Sequence, residues 1–223
     1  MPTSLIKRFL AEPMSGESIE IASFDAIDRE APTHSFSVFE WMIIKRMIHA
    51  SADFGIMSNI RFQCEAIKSG VAALQAGATI YADANMIRSG LSIERLRSVN
   101  PAYDKNHIHC HVADIEIAKE SRRTGLPRSL FALRKARSWL HGGIVAIGNA
   151  PIALLELNRM IIEENIRPAL ILGFPVGFVH VEESKNELLS LTVPAIVLQG
   201  RRGGSPLAVA AIHALTTISK ELT

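Results

Sequence analysis

The chain has 223 residues, with 24 Lys and Arg against 22 Asp and Glu and a formal net charge of +2. Apolar residues make up 48% and charged residues 21%, a composition that buries a core and excludes a disordered or fibrous chain. Only two Trp and two Tyr are present and no basic stripe runs along the chain, so no nucleic-acid partner is expected.

No apolar run approaches the roughly 20 residues that span a bilayer. Residues 1–17 lack the apolar segment of a signal peptide. A soluble, cytoplasmic protein with no membrane partner is expected. Cys64 and Cys110 are too few for a disulfide framework and read as buried free thiols. No linker, repeat or low-complexity tract interrupts residues 1–223, which read as a single domain.

In chain order, Ser35 or Ser37 can cap a helix running to about Ala52, and a second helical pattern covers Ser58 to Ala76 before Gly77 stops it. Five β-rich runs follow, Thr79–Ala82, Ile108–Val112, Ile144–Ile147, Ala169–Leu172 and Ala195–Leu198. Helical patterns lie between and after them near 114–123, 128–141, 151–165, 183–191 and 206–219. Alternation of strands and amphipathic helices predicts an α/β fold, with a mainly parallel sheet of about five strands between two helical layers. The last three runs are continuously apolar, as strands buried on both faces must be.

Ligands of such sheets bind at the carboxyl ends of the strands. Those ends read Asp83-Ala-Asn-Met86, Gly148-Asn149-Ala-Pro151, Gly173-Phe174-Pro175 with Gly177, and Gly200-Arg201-Arg-Gly203-Gly204-Ser205. Pro151 and Pro206 suit first helical positions, and the paired glycines allow a ligand close to the backbone. Any one of these loops is explained by turn formation alone; four on one edge, with Arg and Asn, point to a site for an anionic ligand. Neither G-x-G-x-x-G after a strand nor the Walker pattern is present, and no G-x-S-x-G elbow supports a serine nucleophile.

Among eight histidines, His49 falls near the end of the first long helix, where the dipole's negative end faces it and Lys45 and Arg46 oppose. His107, His109 and His111 alternate with apolar residues, which puts all three on one face of a strand. Such spacing is wide for chelation by one strand, so polar packing against a helix or a second subunit is expected and no metal is assigned.

Taken together, Ser23-Phe24, Arg46-Met47-Ile48-His49-Ala50, Ala76-Gly77-Ala78 with Asp83–Met86, Cys110 with Asp114, Arg128-Ser129, Ala146–Pro151, Gly173–Val179, Glu183-Ser-Lys185 and Gly200–Ser205 resemble the precorrin-8X methylmutase family of cobalamin biosynthesis, in order and spacing, from about Glu20 to the final helix. The resemblance implies an isomerase that moves a methyl group from C11 to C12 of a corrin precursor without an external donor or cofactor. It also implies a homodimer with the tetrapyrrole held near the subunit interface. It places the catalytic acid on His49. It assigns Ser23, Asp83, Met86, Arg128, Asn149, Gly173, Pro175, Gly177, Lys185, Arg201, Gly203, Gly204 and Ser205 to binding a polycarboxylate macrocycle. Ala22, Pro127 and Gln199 depart from the family pattern. Two other functions fit parts of the chain: a non-catalytic tetrapyrrole carrier, and a phosphate- or nucleotide-binding enzyme.

Overall fold

The computed structural model describes residues 4–222, which fall into two compact units, one up to Ser35 and one from Phe36 onward. The first unit holds helices α1 (Leu5–Ala11) and α2 (Gly16–Glu30). Ser15 caps α2 by accepting the Ser18 N–H. This helix was absent from the expected elements, because its mixed polar sequence lacks a sharp apolar stripe.

The second unit carries α3 (Val38–Ser51), α4 (Ile56–Asn59), β1 (Ile60–Gln63), α5 (Ala66–Gln75), β2 (Ile80–Ala82), α6 (Asn85–Gly90), α7 (Ile93–Arg97) and β3 (Ile108–His109). It continues through α8 (Ile115–Thr124), α9 (Arg128–Lys135), α10 (Arg137–Leu140), β4 (Ile144–Ile147), α11 (Pro151–Glu164), β5 (Leu170–Gly173), α12 (Val181–Ser190), β6 (Ala195–Leu198) and α13 (Ser205–Glu221). Ser37 and Glu40 form a reciprocal capping box that starts α3, as the Ser37 reading anticipated.

The sheet has six strands in the order β1-β6-β5-β4-β2-β3. All pairings are parallel except β1, which joins the β6 edge antiparallel with Ile60 opposite Leu198. Side chains alternate across it. Tyr81, Val145, Ile147, Ile171, Ala195 and Val197 face α9–α12 and form a core with Leu133, Leu154, Leu157 and Leu188. The opposite set, including Ile80, Ile144, Leu170 and Ile196, is also fully buried. On that side α5 packs on β5 and α13 on β4, with α3 and α6 against α13. Gly70 of α5 lies so close to Leu170 that a Cβ there would stand 2.7 Å from it.

The sixth strand corrects the expected helix over Ser58–Ala76. Cys64 and Glu65 both adopt left-handed backbone, with φ of 50° and 54°, and so separate β1 from α5. Neither residue type signals such a turn. Gln63 secures the edge by donating to the carbonyls of Leu191 and Val193, each at 3.1 Å. Cys64 is consequently exposed rather than buried, while Cys110 is buried.

The three-histidine face is also revised. Only Ile108–His109 is strand, and His107 closes the preceding 3-10 turn, with its Nδ1 2.8 Å from Asp104. His109 and His111 stack on the Trp139 indole at centroid distances of 4.1 and 5.4 Å. Their role is packing against a helix, as expected. Among the described residues no group of three His, Cys, Asp or Glu is arranged to hold a metal, and no helix is long and apolar enough to cross a membrane.

Candidate functional site

Two cavities open at the carboxyl ends of the parallel strands and meet at Ala50 and Pro206. The first, about 350 Å³, is lined by Arg46, His49, Met86, Ser205, Val209 and His213, with Ala50, Gly90, Pro206 and Ala210 completing it. The second, about 470 Å³, lies between Val176-Gly177-Phe178 and Arg201-Arg202-Gly203, with Asp53 beside them. Volumes of this size suit small-molecule sites. A larger cavity, about 740 Å³, opens around Gln63, Cys64 and Lys68. Gln63 pairs with Ala195, the first residue of β6, so that cavity sits at the amino ends of the parallel strands, away from the loops where this fold binds ligands.

His49 is exposed at the last turn of α3, and α3 packs along α13. Met47 and Ile48, fully buried in that interface, fix where the imidazole emerges. His213 enters the same cavity from α13, recurring at four-residue intervals after Ser205 and Val209. Its Nε2 accepts the Ser92 N–H at 3.1 Å, so that nitrogen carries no proton. The three-residue run Ser205, Val209, His213 was a signal of one helix face available in the sequence, and it went unused.

The loop after β6 is shaped by close approach to the loop after β5. A Cβ on Gly203 would overlap the carbonyl oxygens of Phe174 and Pro175, and Gly204, with φ of 132°, donates its N–H to the Phe174 carbonyl at 2.9 Å. Gly177, with φ of 142°, donates to the Arg201 carbonyl. Arg201 is 3.1 Å from Glu182 and lies over the Phe178 ring at 5.4 Å. Arg202 is 3.0 Å from Asp53. Exposed pairs of this kind contribute about 0–1 kcal/mol, so a ligand carboxylate can displace either acid at little energetic penalty.

Two residues expected to meet the ligand instead hold the loops. Lys185 is 0% exposed, and its Nζ donates to the carbonyls of Gly200 at 2.8 Å and Arg202 at 2.7 Å. Burial lowers its pKa to about 8. Asp83 is likewise buried, with Oδ1 accepting the Gly148 N–H and Oδ2 those of Asn149 and Ala150. Burial raises its carboxyl above the usual range, against the pull of the three amides.

Other assignments divide. Met86 and Ser205 line the His49 cavity, while Gly177, Arg201 and Gly203 line the loop cavity. Gly173 faces Leu188 and Val197, where a Cβ would stand 3.0 and 3.3 Å away, so its small size serves packing of α12 on the sheet. Pro175 is buried, and Asn149 is exposed on the turn that Asp83 holds. Arg128 is exposed at the first position of α9 and lines neither cavity. In the first unit, the Ser23 hydroxyl donates to the Ile19 carbonyl at 2.8 Å.

The geometry yields two tests. Asp83→Asn sets an amide NH₂ against backbone donors and should cost about 3 kcal/mol of stability, read as a lower urea midpoint; an unchanged midpoint refutes the role. For Lys185, the folded state releases its proton near pH 8 while the unfolded chain keeps it to about pH 10.4. Stability therefore rises with pH across that window. Wild type should gain stability over Lys185→Met from pH 8 to pH 10, and a constant difference contradicts the lowered pKa.

A sequence profile of the precorrin-8X methylmutase family matches residues 18–218. A cobalt-precorrin-8 methylmutase of Leptospira interrogans is 41% identical over 214 residues, covering 92% of this chain and 95% of that protein. A precorrin-8X methylmutase of Pseudomonas aeruginosa is 39% identical over 204 residues, covering 91% and 95%. The crystal structure of a precorrin-8x methyl mutase from Thermus thermophilus superposes with a TM-score of 0.83 at 44% identity, covering 92% of this chain and 97% of that one. With the matched segment running from α2 to the last turns of α13, this chain belongs to the precorrin-8X methylmutase family of isomerases.

Proposed function

We propose that this protein moves a methyl group from C11 to C12 of precorrin-8X, or of its cobalt-containing form, in cobalamin biosynthesis, with His49 as the general acid. The observation that carries the assignment is the exposed imidazole at the end of α3, in a cavity shared with Met86 and Ser205 above the strand ends. The methyl group leaves C11 with its bonding electron pair and bonds C12, so composition is unchanged and no donor is consumed. A proton placed on the conjugated ring creates the electron demand that draws the methyl across. Because the reaction is an isomerisation, that proton is lost again from the product and returns the imidazole to its starting state.

The second imidazole in the cavity does not compete for this role. His213 accepts a backbone N–H at Nε2, so that nitrogen has no proton to donate to the ring. The loop cavity suits the substrate's acetate and propionate carboxylates. Arg201 and Arg202 are held in weak exposed pairs and exchange Glu182 and Asp53 for ligand oxygens, with guanidinium geometry matched to a carboxylate. Phe178, 82% exposed, and Val176 offer apolar surface to the ring face. Lys185 and Asp83 act behind the loops as positioning residues. The assignments of Ser23 and Arg128 rest on the family likeness, as do the homodimer and the cytoplasmic location.

His49→Ala should lower kcat for corrin formation by about 100- to 10,000-fold with the circular-dichroism spectrum unchanged. Turnover at the wild-type rate rejects the acid role and leaves a carrier. Arg201→Ala should weaken product binding about tenfold without unfolding, because its side chain is 60% exposed. Titrations with hydrogenobyrinic acid and cobyrinic acid, followed by absorption, read that change and show which form binds tighter.

A further inference from the structure

Helix α6 divides two cavities. Met86 and Gly90, four residues apart, face the His49 cavity. Asn85, Arg88 and Ser89, which form a second stripe of the helix by i,i+3 and i,i+4 spacing, line a separate cavity of about 470 Å³ closed by Leu91, Ile93, Lys105 and Ile108. Ile87 between them is fully buried and fixes the rotation of the helix. A helix is about 10 Å across, so the two spaces are close neighbours.

The second cavity is lined by two cations and two neutral hydrogen-bonding side chains, with no acid among its lining residues. Neither Arg88 nor Lys105 has an ion-pair partner among the described residues, in contrast to Arg123, Arg134, Lys135, Arg137 and Arg159 on the helical layer. The acid next in sequence, Asp104, is engaged by His107 and the Asn106 N–H. The positive field reaches β3: after burial, the charges of His111 and Arg88 help hold the His109 imidazole below its usual range. Two uncompensated cations facing one concave space favour an anion there, and guanidinium with ammonium suits a carboxylate.

We propose that the Arg88–Lys105 cavity is a carboxylate-binding site, separate from the loop cavity, that receives a peripheral carboxylate arm of the tetrapyrrole as the ring lies over α6. This rests on the proposed function above for the source of the carboxylate, though not for the site itself. It makes α6 a ridge gripped from both sides, with the macrocycle over Met86 and one arm anchored beyond it.

The test is Arg88→Gln with Lys105→Gln, singly and together; both residues are exposed, and circular dichroism checks the fold. Calorimetric titration uses cobyrinic acid as the macrocyclic polycarboxylate and citrate as a small free one. The double variant should bind cobyrinic acid about 10- to 100-fold more weakly than wild type at low salt, with each single variant between. Citrate bound by wild type, lost in the double variant and not displaced by cobyrinic acid keeps the carboxylate site and reassigns it to a separate anion. Binding of both probes within twofold of wild type in the double variant overturns the site. If wild type binds no corrin at all, the methylmutase reading fails, and citrate binding alone then decides the cavity.

Discussion

Loops at the ends of parallel strands have no ladder to hold them, and a site built from them is only as rigid as their remaining hydrogen bonds. Here two charged side chains that are themselves withdrawn from solvent supply those bonds. The Asp83 carboxylate gathers three consecutive amides of the turn entering α11. The Lys185 ammonium ties two carbonyls of the loop entering α13. Both contacts are charge-assisted and in low dielectric, where such bonds are strong and an unpaired partner is costly. Each charge is buried because its partners are backbone groups that cannot move away without breaking a strand end. The placement of Arg201, Arg202 and the Asn149 turn follows from these two anchors.

That arrangement explains which parts of the site were legible in the sequence. The apolar runs at 144–147 and 195–198 match their strands residue for residue, since a strand buried on both faces has no other reading. His49 is reached from its helix-end position and the family likeness, and Met86, Arg201 and Gly203 from strand-end position; the structure sets all four along the two strand-end cavities. Lys185 and Asp83 are also read from the sequence as ligand-binding, whereas in the fold both are buried and hold backbone groups of the loops. Their charge suits a carboxylate or a polar substrate, but burial decides the partner, and burial of a helix face or strand end depends on packing that periodicity does not fix. His213 was missed for the converse reason: a histidine within an apolar helix reads as core until α13 is seen to run past the cavity.

The β1–α5 turn shows a different limit. Sequence signals for a break are glycine, proline and the small polar residues that tolerate left-handed backbone. Cys64 and Glu65 occupy that region with neither, so the helical pattern appears uninterrupted across a strand and a reversal. Tertiary pairing overrides local preference here: β1 completes the β6 edge through four paired residues, and Gln63 ties it to the end of α12. The strain of two left-handed residues is compensated by those bonds, which no local window contains.

Charge distribution makes the same point about function. Six cations lie between Arg122 and Arg137 along the chain. In the fold, Arg123 meets Glu120, Lys135 meets Asp114 and Glu116, Arg137 meets Glu164, and Arg134 with Arg159 brackets the nearly buried Glu156. Arg134, Lys135 and Arg137 thereby tie the 128–137 segment to α8 and α11, which leaves them little field for a ligand. At the strand-end loops, Arg201 and Arg202 pair with the exposed acids Glu182 and Asp53. What a positive residue can bind is therefore set by how firmly its counter-charge is held: Arg134 and Arg159 on the helical layer share the buried Glu156 carboxylate, while Arg201 and Arg202 at the strand-end loops pair with exposed acids that a ligand can replace.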